Sequence, residues 1–131
     1  MSDYTLGRTI DLPYAEAVEA VRAALGEQGF GVLTEIDLAA TLHAKIGVTV
    51  TPQVILGACR PQLAYEALQA DPSIATVLPC NVVVRSIDEQ TTMVEAFDPR
   101  IMTTLAGEGG GLAMVAADAR ERLQAMLAAL G

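Results

Sequence analysis

The residues best placed to do chemistry are two cysteines, Cys59 and Cys80, each at the edge of a β-favouring run. Cys59 closes Ile55-Leu56-Gly57-Ala58 and precedes Arg60-Pro61; Cys80 follows Pro79 and opens Asn81-Val82-Val83-Val84. With Pro61 as the first helical residue, the Cys59 thiol faces the free amides of a helix start, and Arg60 adds a permanent positive charge. Both favour thiolate, the form of sulfur that attacks electrophiles and binds metals. Strand alternation puts Cys80 on a face with Val82 and Val84, and Cys59 on a face with Ile55 and Gly57. Aligned faces on neighbouring strands would bring the sulfurs together, as a reactive pair or a two-sulfur site for a soft ion such as Cu(I). The plainer reading is that free cysteine packs as a small apolar residue, and Ala, Val and Leu surround both.

Other candidates are weaker. His43 is the single histidine and stands far from either thiol, with no Cys-x-x-Cys, so no zinc pattern exists. Glu35 and Asp37 project to one side of a strand and could divide acid and base roles, but Asp37 is placed as a helix N-cap. Lys45 suits the end of the same helix. Gly107-Glu108-Gly109-Gly110-Gly111 lacks the Lys and Ser/Thr of a phosphate loop and carries an acid, so it reads as a hinge. No nucleophile elbow or Ser-His-Asp order is present.

The elements that must position these residues follow from periodicity. Thr5–Ile10 reads as an opening strand. Asp11 and Pro13 begin a helix whose apolar face is Ala17, Val18, Val21 and Leu25, and Gly29 ends it. Phe30–Ile36 is a second strand. Asp37 then caps a helix with Leu38, Leu42 and Ile46 in line, closed by Gly47. Residues 48–52 form a connector; Val54–Cys59 is a third strand; a helix from Pro61 stops at Asp71-Pro72. Leu78–Ile87 and Thr91–Phe97 form a hairpin around Asp88-Glu89-Gln90. Residues 100–111 are expected to be a flexible connector. Residues 112–130 carry the longest amphipathic stripe, a C-terminal helix that packs on its own sheet or on a second subunit. The order is β-α-β-α-β-α-β-β-α within a single domain spanning 1–131, a sheet covered by helices mainly on one face.

Composition sets outer limits. A 131-residue chain with 52% hydrophobic residues can bury its own core, and 4% aromatics makes that core aliphatic. A net charge of −8 with no basic cluster argues against nucleic acid and against anionic membrane as partners. The start Met1-Ser2-Asp3-Tyr4 has no basic, apolar leader, and no apolar run reaches the roughly 18 residues of a membrane span. A cytoplasmic setting with reduced thiols is expected.

Val32 to Asp37, Ile55 to Pro61, Leu78 to Val84 and Asp98-Pro99 stand in the order and spacing of one family. From about Tyr4 to Leu130 the chain resembles the prokaryotic family catalogued as domain of unknown function 302. The resemblance implies an α+β domain with a mostly antiparallel sheet of about five strands, a homodimer, and no assigned activity. The family usually has Asn after the first cysteine, where Arg60 stands here. Two functions are carried forward. One is a homodimeric binding or accessory domain without turnover, taking a small-molecule ligand. The other is a thiol-dependent redox, sulfur-carrier or soft-metal protein, with Cys59, Arg60, Cys80 and Asn81 as the site; nothing in the sequence names a cofactor.

Overall fold

The computed structural model describes residues 2–106 and 111–131. Five strands, β1 (Thr5–Ile10), β2 (Gly31–Asp37), β3 (Gln53–Cys59), β4 (Cys80–Asp88) and β5 (Thr91–Phe97), form one sheet in the order β1-β5-β4-β3-β2. Every neighbouring pair is antiparallel. The helices are α1 (Tyr14–Glu27), α2 (Leu38–Ile46), α3 (Pro61–Ala70), α4 (Arg100–Ala106) and α5 (Leu112–Ala128). A 3-10 helix, Pro72–Val77, links α3 to β4.

Period-two alternation splits the sheet into unlike faces. Val54, Leu56 and Ala58 of β3, Val82 and Val84 of β4, and Val94 and Ala96 of β5 are buried in one cluster with Val21 and Leu25 of α1 and Leu123 and Met126 of α5. The intervening residues Ile55, Val83, Arg85, Met93 and Glu95 are only partly covered. Helices therefore close one face and leave the other open. A second cluster joins Leu63 and Ala67 of α3, Ile74, Met102 of α4, and Leu112, Val115, Ala116 and Ala119 of α5.

The apolar stripe of α5 runs through both clusters, so this helix packs on its own chain. Arg8 fixes its end by donating from Nη1 to the carbonyl of Leu127 at 2.8 Å and to that of Leu130, just beyond the helix, at 2.6 Å. Arg122 Nη1 donates to Gln28 O at 3.1 Å and ties α5 to the end of α1.

Several local expectations hold. Asp37 Oδ1 accepts from Ala40 N at 2.9 Å as the N-cap of α2, and Gly47 closes that helix at φ 70°. Gly29 turns left-handed at φ 84° behind α1. Others change. Tyr14 begins α1 with Pro13 at the cap position and no side-chain cap, so Asp11 does not serve there. β4 starts at Cys80 rather than Leu78, because the 3-10 turn, secured by Asp71 Oδ1 accepting from Ser73 N and by buried Ile74, takes up the preceding chain.

Residues 100–106, expected as flexible connector, are helical instead. Asp98 Oδ1 accepts from Arg100 N at 3.0 Å, and Met102 inserts into the second cluster at 3% exposure. The supposed hinge at 107–110 lies outside the described residues. α2 differs from the other helices in burying none of its residues, and it follows an edge strand on which Leu33 and Ile36 are exposed.

Candidate functional site

The two cysteines sit where β3 ends and β4 begins. The strands are adjacent, but the register sets Cys80 opposite Ala58, not Cys59. Cys80 thus belongs with Val82 and Val84 on the helix-covered face, while Ile55 and Gly57 face the open side. The faces that would have to align for strand pairing alone to bring the sulfurs together are therefore opposite ones. Cys59 nevertheless meets the same recess as Cys80, because it is the last residue of β3 and the chain turns there into α3.

That recess is small and apolar, about 20 Å³, bounded by Phe30, Cys59, Arg60, Leu63, Cys80 and Met102 among others. It has room for about one water-sized sphere. Both sulfurs are free thiols. Burial raises the Cys59 pKa, and burial together with the charge of Cys59 pushes Cys80 up to about 11. The thiolate expected at Cys59 is therefore not favoured. Burial in the recess disfavours the charged form, and Arg60 lays its aliphatic stem and Nε over Gly29, Nε 3.1 Å from where a Cβ there would stand. Among the described residues no three-residue group of His, Cys, Asp and Glu is placed to hold a metal.

Asn81 takes no part in that recess. It is exposed on the open face and lines a groove of about 490 Å³ with the N-terminal segment, the Thr76–Pro79 turn, and β4 and β5. The groove was not legible as a site, since its polar residues come from separated stretches. At its base Arg85 Nη2 donates to Glu95 Oε1 at 3.0 Å, and Thr5 Oγ1 donates to Glu95 Oε2 at 3.0 Å. Arg85 is partly exposed, so its remaining N–H donors can reach a ligand. Tyr4 and Phe97 supply aromatic surface, and the cis Leu78–Pro79 bond shapes one wall.

Gly57 explains how that wall is held. A Cβ on Gly57 would stand 2.8 Å from Pro79 Cγ and would collide with Thr34 Oγ1. Only glycine lets β2 and the proline turn close over β3 here.

Of the remaining candidates, the two carboxylates are occupied in structural work. Glu35 pairs with Arg22 and Asp37 caps α2, so neither stands ready as an acid or base. Their charges, after burial, raise the pKa of Tyr14, which shares a cleft with them. His43 and Lys45 are exposed on α2.

The sequence model of the family described as domain of unknown function DUF302 matches residues 6–130. The chain belongs to the DUF302 family. Within this family, the crystal structure of an uncharacterized conserved DUF302 protein from Bacillus stearothermophilus is similar over 99% of this chain and 100% of that one, with a TM-score of 0.89 at 28% identity. No curated protein matches the sequence. DUF302 membership carries no activity with it. No helix among the described residues of this DUF302 chain is long and apolar enough to cross a membrane.

Proposed function

We propose that this chain is a binding or accessory domain without turnover of its own, and that its ligand is a small polar molecule seated in the open-face groove. The Thr5–Glu95–Arg85 network at the base of the groove carries the reading. Small-ligand sites combine apolar walls with a few convergent polar groups in volumes of roughly 300–1,000 Å³. A groove of about 490 Å³ with aromatic Tyr4 and Phe97, a partly exposed guanidinium and the amide of Asn81 fits that description. Among the described residues Glu95 is the one carboxylate lining it, and Arg85 and Thr5 already hold both its oxygens. A carboxylate so committed orients a ligand better than it moves protons.

The proposal includes a cytoplasmic setting and a homodimer. With the stripe of α5 used inside its own chain, the dimer contact falls on another surface, and light scattering at micromolar concentration measures it. A monomer there removes the dimer and leaves the groove. The groove itself is tested by screening a small-molecule library for thermal stabilisation, with Asn81→Ala and Arg85→Gln as controls. Hits whose effect persists in both variants count against it.

The thiol-dependent alternative rests on Cys59 and Cys80 bordering one recess and sensing each other's charge. A recess of this size suits a soft metal ion better than an organic substrate. Titration with Cu(I) under reducing conditions tests it, and a bound equivalent lost in Cys80→Ser would revive it over the groove.

A further inference from the structure

Asp98 keeps 1% of its side-chain exposure and is shared by two guanidiniums. Oδ2 accepts from Arg100 Nε at 3.0 Å and lies 2.8 Å from Arg100 Nη2; Oδ1 accepts from Arg120 Nε at 3.2 Å. A single opposite charge neutralises a buried carboxylate, so the second guanidinium is surplus to that need. The surplus surfaces on a cleft of about 330 Å³ between α4 and α5, where Arg100, Thr103, Ala116, Arg120 and Glu121 stand around it.

The donors facing this cleft are held in place before anything binds. Arg120 uses only Nε on Asp98 and has no other hydrogen-bond partner among the described residues; Arg100 keeps Nη1. Fixing two long cationic side chains normally costs rotamer entropy on binding, and here Asp98 has already fixed them. Small Ala113, Ala116 and Ala117 leave the floor of the cleft open. The arrangement also runs against the chain's charge, since 8 Lys and Arg face 16 Asp and Glu overall.

We propose that this cleft is an oxyanion site, separate from the open-face groove, which takes a phosphate or phosphoryl group through Arg100 and Arg120. Asp98 acts as the positioning residue. A tetrahedral oxyanion presents enough oxygens to engage both forks, whereas one fork alone satisfies a carboxylate. Glu121 opposes the anion from the exposed rim and keeps the site weak.

The test is titration of the folded protein with inorganic phosphate at constant ionic strength, followed by amide chemical shifts, with chloride as control. A phosphomonoester, glycerol phosphate, forms the second arm. The expected result is a saturable millimolar response at α4 and α5, weakened about tenfold in Arg100→Gln and in Arg120→Gln, and strengthened several-fold in Glu121→Gln. Tighter binding of the ester supports a phosphorylated molecule as occupant, and equal binding supports the free ion. A response that never saturates, or that tracks chloride, overturns the proposal. So does a response unchanged in Arg100→Gln and Glu121→Gln, both exposed substitutions that decide the matter even if Arg120→Gln fails to fold. Asn81→Ala leaves this binding intact, which separates its failure from failure of the groove.

Discussion

Alkylation of Cys80 offers the sharpest check on the thiol chemistry. A rise in its pKa from 9.0 to about 11 lowers the thiolate fraction about a hundredfold at any pH well below both values. With both cysteines left in place, iodoacetamide modification of each thiol is followed by peptide mass between pH 7 and 11. Cys59, raised by burial, reacts more slowly than a free cysteine. Cys80 reacts far more slowly again, and its rate climbs tenfold per pH unit toward about 11. The pH midpoint decides, because steric shielding lowers the rate without moving the midpoint. The same rise has a thermodynamic counterpart. Between pH 9 and 11 the unfolded thiol has lost its proton while the folded one retains it, so stability falls across that window, by on the order of 2–3 kcal/mol. A midpoint for Cys80 at or below 9 would refute the reasoning and restore the reactive-thiol view.

Two further outcomes follow from packing. Gly57→Ala forces Pro79 or Thr34 aside and costs about 1–3 kcal/mol by overpacking, measured by urea denaturation; it also weakens any ligand of the groove that Pro79 lines. Asp37→Ala removes the bond to Ala40 N at a cost of about 1 kcal/mol. Because α2 buries none of its residues, that loss shows as faster amide exchange within 38–46 rather than as a lower global midpoint.

What the sequence conveyed and what it withheld divide along physical lines. Periodicity located β3, β4, β5 and the stripe of α5, since alternation and the Leu123–Met126–Leu127 spacing reflect burial directly. Asp37 and Gly47 were readable because capping is a local interaction. The helix at Arg100–Ala106 was not, for its stability comes from Asp98 and from a pocket made by α3, the 3-10 turn and α5. Strand alternation misplaced the route by which Cys59 nears Cys80: Ala58 stands opposite Cys80, and the two thiols share a recess only because the chain turns into α3 at Cys59. The groove escaped notice because Thr5 and Glu95 lie ninety positions apart and meet only through pairing of β1 with β5.

That pairing also bears on how the molecule comes into being. β1 has β5 as its sole strand neighbour, and the ladder runs on through Asp98 N to Tyr4 O. β1 must therefore wait, unmatched, until residue 97 has been made. Contacts at such separation form slowly. The β4–β5 hairpin and its join to β3 can assemble ahead of it, which makes seating of the N-terminal segment the closing step of folding, and the floor of the groove is complete only then.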